Sequence, residues 1–155
     1  MNLSYQTAKH FLDVHFGGNW TSVNLKETLA DVSWQQAVTT IDNFNTIAAL
    51  VYHMNYYVSS VLKVLQGQAL AASDKFSFDL PPIQSELDWD NLLQKTWADA
   101  ESFASLVEQL PEDRFSEIFV DDKYGTYFRN MHGIIEHIHY HLGQIVIIKK
   151  LLPKV

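Results

Sequence analysis

Residues 126–152 keep an apolar repeat of helical period that includes Ile134, Ile145, Ile148 and Leu152, yet the same stripe carries His137 and His141. A helix this long with one apolar face does not stand alone in water and must be covered by others. Four residues separate the two histidines, which leaves only about 40° between them, one turn apart on one face. Such a pair can hold a divalent metal with both rings if another segment brings a third ligand. Burying two imidazoles without partners would cost roughly 1–3 kcal/mol each, and a metal satisfies both at once. The other histidine deep in an apolar helical stretch is His53, in Leu50-Val51-Tyr52-His53-Met54. Taken alone, His53 reads as a hydrogen-bonded core residue. With the pair it becomes the third ligand of a metal site built from His53, His137 and His141.

The rest of the chain supplies the covering helices. Residues 2–16 place Tyr5, Ala8, Phe11, Leu12 and His15 on one face, and Gly17-Gly18 stops that helix. Asn24-Leu25-Lys26-Glu27 and Ser33-Trp34-Gln35-Gln36 look like capping boxes, opening short helices over about 25–31 and 34–39. A second long helix runs from Asn45, read as its N-cap with Phe44 stapling onto Ala49, to about Gln66. Its stripe of Ala49, Leu50, His53, Tyr56, Tyr57, Ser60, Val61 and Val64 is widened by Val51, Met54, Val58 and Leu62. That width makes the helix central or places it against a partner chain. Residues 67–85, with Pro81-Pro82 and the Phe76-Ser77-Phe78 alternation, form a crossover loop. Ser85 or Asp88 caps a third long helix reaching about Leu110, with Trp89, Leu93, Trp97, Ala100, Ala104 and Val107 inward, and Pro111 ends it. Residues 111–125 are a second connection in which Ile118-Phe119-Val120 is a short extended piece. Thr126 then caps the last helix, which ends before Pro153. The expected fold is all-α: residues 1–155 as one four-helix bundle with long crossover connections, whose core is where ligands on facing helices converge.

Charge and composition narrow the functions. The net charge is −7, with basic residues scattered except for Lys149-Lys150, so no basic stripe suits nucleic acid or an anionic membrane surface. The chain has no cysteine, so disulfides, thiolate ligands and an internal thiol nucleophile are excluded, and a metal must be held by His, Asp or Glu. Met1-Asn2-Leu3-Ser4-Tyr5 lacks a signal-peptide pattern, and the apolar region after Met131 is too interrupted by polar residues for a membrane span. A cytoplasmic protein is expected.

The remaining histidines are read apart from the pair. His139 lies roughly 160° from His141 and 200° from His137, so it cannot join them at one ion; it and His132 face elsewhere, as at a subunit interface. His15 is inward on the first helix, as a hydrogen-bonded core residue, a pocket residue or a fourth ligand; His10 is on the surface. Gln144, three residues after His141 on the same stripe, is placed to orient a ligand or to bond to a neighbouring helix. A zincin protease would need Glu directly after His137, where this chain has Ile138.

Three passages resemble the DinB-like/YfiT-like superfamily: Phe16-Gly17-Gly18-Asn19-Trp20 followed by Leu25-Lys26-Glu27-Thr28-Leu29, Ile47-Ala48-Ala49-Leu50-Val51-Tyr52-His53, and His137-x-x-x-His141-Leu142-Gly143-Gln144. The resemblance covers nearly the whole chain. It implies a four-helix bundle with a divalent metal, zinc or nickel, on one histidine of the second long helix and two of the last, which map onto His53, His137 and His141. It also implies a homodimer, and in some relatives the transfer of a low-molecular-weight thiol such as bacillithiol or mycothiol to an electrophile. The leading expectation is therefore a metal-dependent S-transferase using an external thiol cosubstrate and a small-molecule substrate. Metal-dependent hydrolysis ranks below it because no carboxylate shares the histidine stripes. A non-catalytic metal- or ligand-binding protein is the third reading.

Overall fold

The computed structural model describes residues 2–152 and forms α1 (Leu3–Phe16), α2 (Leu25–Leu29), α3 (Trp34–Ala37), α4 (Ile47–Leu65), α5 (Glu86–Glu108) and α6 (Tyr127–Leu151). Side-chain caps set most of these starts. Asn2 accepts from the Tyr5 amide, Ser33 and Gln36 close a reciprocal capping box, and Thr126 accepts from the Arg129 amide. Asn24 caps α2, but Glu27 answers its side-chain amide at 2.8 Å rather than its backbone. One expected cap is replaced by its neighbour, and one open choice is decided. Thr46, not Asn45, caps α4 by accepting from the Ala49 amide at 3.2 Å, and Phe44, largely exposed, makes no staple. At α5 the cap is Ser85, with Asp88 as the residue whose amide it accepts. The two short helices are also shorter than expected and end at Leu29 and Ala37. Gly17 closes α1 at φ +111°, and its amide bonds to the Asp13 carbonyl. Pro153 lies outside the described residues; α6 closes at Leu152, whose amide still reaches the Ile148 carbonyl.

The four long helices pack as a ring. α5 lies against both α1 and α4, and α6 lies against the same two from the other side. Hence α1 is diagonal to α4, and α5 is diagonal to α6. Phe11 of α1 and Phe103 of α5 meet at 4.3 Å between ring centroids in the middle of the core. Trp89 is buried on α5 and donates its indole N–H to the Val32 carbonyl at 3.0 Å, tying the short helices to the bundle. The buried face of α1 is Ser4, Thr7, Ala8, Phe11, Val14 and His15; Tyr5, expected inward, is exposed, and Leu12 is half-buried. Ser4 fits because its hydroxyl donates to the Leu110 carbonyl at 2.6 Å. The second row of α4 (Val51, Met54, Val58, Leu62) is buried within the chain, so the width of that face is used inside the bundle and calls for no partner.

The connections contain short 3-10 helices at Asp74–Phe76, Glu112–Ser116 and Asp122–Tyr124. The Phe76-Ser77-Phe78 alternation is no strand; it leaves the first of these turns with Ser77 buried and both phenylalanines partly exposed. Ile118 makes a single antiparallel bridge with Thr126, which gives the expected extended piece its one backbone pairing. Among the described residues no helix is long and apolar enough to cross a membrane.

Candidate metal centre

His53 and the pair His137 and His141 meet across the α4–α6 seam. His137 Nε2 lies 3.1 Å from His53 Nε2 and 3.0 Å from His141 Nε2. Each ring interrupts an apolar stripe of its helix, and the packing of α4 on α6 brings the stripes together. His53 and His141 are buried, while His137 is half-buried at the edge of the seam.

The outer nitrogens decide which way the inner ones point. His53 Nδ1 faces the Ser77 carbonyl at 3.3 Å, and His141 Nδ1 faces Gln144 Oε1 at 2.6 Å. Both partners are acceptors, so both rings carry their proton on Nδ1 and present an Nε2 lone pair inward. His137 Nε2 therefore stands between two lone pairs. One proton on it can serve one of these contacts and leaves the other repulsive. A cation shared by all three removes the conflict. Nitrogen ligands about 2 Å from a common tetrahedral centre stand about 3.3 Å apart, close to the separations here. The donor set thus fits a divalent metal, and the three form a group whose ligand atoms all lie within 4.8 Å of one another.

The surroundings favour the neutral form of His53 and His137. Burial, followed by the His141 and His53 rings, pushes His137 down to about 4. Burial, followed by the His141 ring, also lowers His53, against the opposing Ser77 carbonyl and Asp74. Neutral imidazole is the form that binds a metal. Aromatic rings wall the cluster: Phe78 stacks on His53 at 4.0 Å, and Tyr57 meets His53 and His137 edge-on at 5.2 and 5.1 Å. Tyr56 and Tyr57 pack beside His53 with satisfied hydroxyls, as expected. Tyr56 bonds both the carbonyl and the amide of Ser73, and Tyr57 donates to Asp74 Oδ1 at 2.7 Å.

The other histidines stay out of the cluster. His15 Nδ1 donates to the Phe11 carbonyl of its own helix at 2.9 Å, so it is a hydrogen-bonded core residue and stands outside the ligand group. His139 faces His10 of α1 within the chain, at 6.2 Å between ring centroids, and His132 stacks on Phe128 while bonding its carbonyl. Ser77, Phe78 and Asp74 were missed. All three come from the crossover loop, where no periodicity marks which residue turns inward.

A cleft of about 430 Å³ runs from the cluster toward the start of α6. Tyr57, Asp74 and His137 line one end, and Tyr124, Arg129 and Asn130 line the other. The expectation that no carboxylate shares the histidine stripes concerned the helices alone, and Asp74 comes to the cleft from the loop.

A search of curated proteins and of solved structures returned no match. The family model described as the DinB superfamily matches residues 19–145, a span that contains all three clustered histidines and most of the bundle. This chain belongs to the DinB superfamily.

Proposed function

We propose that the protein is a metal-dependent transferase that joins an external low-molecular-weight thiol to a small electrophile. The observation that supports this best is the convergence of three Nε2 atoms at one end of a cleft open to small molecules. His53, His137 and His141 would hold a divalent ion, zinc or nickel, leaving a coordination position for a substrate. Such an ion supplies Lewis acidity that ionises a thiol near neutral pH. The chain has no cysteine, so the thiol comes from outside.

The protein's own groups do the rest. The Ser77 carbonyl and Gln144 hold two rings in the tautomer that binds, and Phe78 and Tyr57 keep water from their faces. Asp74 is the carboxylate of the cleft and takes the thiol proton, while Tyr57 holds it in place. A carbon–sulfur bond forms, and the electron pair leaves on the electrophile's departing group. Thiol-dependent conjugation of monochlorobimane, measured with and without added metal, tests this. A metal-dependent rate above the metal-and-thiol blank is expected; no such rate across several thiols sinks the reading.

Asp74 also favours a second reading, metal-dependent hydrolysis, in which the same carboxylate takes a proton from water. Turnover of an ester, amide or phosphate substrate that survives removal of all thiols would move the assignment there. We further propose a cytoplasmic homodimer. The exposed row Tyr140, Ile147 and Leu151 on α6 is the surface for a second copy, and a monomer in sedimentation at micromolar concentration would remove it.

A further inference from the structure

The cleft has a second chemical end. Arg129 and Asn130 stand eight and seven residues before His137 on α6, so Arg129 lies about 12 Å from it along the helix axis. Gly133 lies between them on the same wall, and a Cβ there would meet nothing within 4 Å. The path from the histidines to Arg129 is therefore open.

Arg129 is an exposed guanidinium at the rim of the cleft, placed where an anion would be favoured beside it. It sits in the first turn of α6, where the positive end of the helix dipole favours acids, and that turn contains none. It takes part in none of the ion pairs among the described residues. Among the described residues its guanidinium makes one hydrogen bond, from Nη1 to the Tyr124 carbonyl at 3.3 Å, which steadies the side chain and leaves other N–H groups for a ligand. Gly125, at φ +72°, makes room for that pose, since a Cβ there would stand 3.1 Å from Arg129 Cδ. Asn130 spends its amide on the Tyr124 and Thr126 carbonyls, so the guanidinium is the charged donor this end offers to an acid. Asp74, the acidic residue of the cleft lining, is at the opposite end beside Tyr57. A cleft with a carboxylate at its metal end and a guanidinium at the other selects a ligand by length and charge.

We propose that Arg129 is the specificity-determining residue of this cleft. It holds the carboxylate of an extended acid whose far end reaches toward the histidine cluster, about 12 Å away along the helix. What happens at that far end rests on the thiol-activating reading above; the role of Arg129 does not.

Octanoate and octanol, of equal length, separate charge from apolar burial. Their binding to metal-free protein can be followed by backbone amide NMR shifts. Octanoate should bind at least about tenfold more tightly, with shifts running from Arg129 to His137. Arg129→Gln should erase the preference, and Arg129→Lys should restore part of it. An unchanged preference in Arg129→Gln, or shifts confined to another surface, overturns the proposal. Mercaptooctanoate added to cobalt-loaded protein then reads the metal end through the sulfur-to-cobalt absorption band. If that band is absent while octanoate keeps its preference, the thiol reading fails and Arg129 stands. If the band forms with equal affinity in wild type and Arg129→Gln, the assignment of Arg129 fails and the thiol reading stands.

Discussion

His15 and His137 are both driven down to about 4, chiefly by burial, yet they are opposite kinds of residue. His15 closes its hydrogen bond on the carbonyl of Phe11, one turn back on its own helix, and rests against the Phe11 ring at 4.4 Å. His137 has its Nε2 between two other imidazoles supplied by two helices. A depressed pKa is therefore a statement about burial and not about function. What distinguishes the cluster is that its nitrogens converge on one another and that a cleft ends there.

The sharpest way to break this contrast is to count metal. His141→Ala should take bound metal from about one per chain to near zero in elemental analysis, whereas His15→Gln and His10→Ala should leave it unchanged. Equal metal in all three would erase the distinction. Next in size is acid stability. His15 titrates near 6.5 in the unfolded chain and near 4 when folded, so the unfolded state binds more protons between those values. The stability it contributes is whole above pH 6.5, declines as the pH falls and is lost by about pH 4, up to about 3 kcal/mol. Urea unfolding of metal-free protein should show that His15→Gln loses less stability than wild type between pH 7 and pH 4; parallel losses would count against the buried neutral ring. A smaller effect is expected at Gln144. Gln144→Leu removes the acceptor that holds His141 and should weaken metal binding roughly 10–100-fold without changing its stoichiometry, as measured by competition with a chelator. The smallest concerns the loop. Tyr56→Phe gives up the bonds to Ser73 and should cost about 1 kcal/mol in denaturation, with metal content intact. Lost metal there would show that the loop holds the site more firmly than the helices do.

Much of this could be read from the chain because helices repeat. The stripe of α6 and its Thr126 cap are visible in the sequence, and His53, His137 and His141 stand out as polar residues where leucine is the norm. What stayed hidden was set by contacts without period. Asn45 and Thr46 are both good caps, and only the reach of one side chain to the Ala49 amide decides between them. Tyr5 seemed inward and is exposed, because the small polar residues Ser4 and Thr7 pack where larger ones would not. The Ser77 carbonyl has no side-chain signature at all, and Asp74 reaches the cleft through the path of a loop.

The bond from His53 to Ser77 joins residues 24 positions apart through a main-chain oxygen. A carbonyl pulling on that ring's proton pushes electron density toward the opposite nitrogen and makes it a stronger base. Sequence drift anywhere between Ser73 and Phe78 can thus retune the centre through the peptide backbone alone, giving evolution a dial that leaves every imidazole where it is.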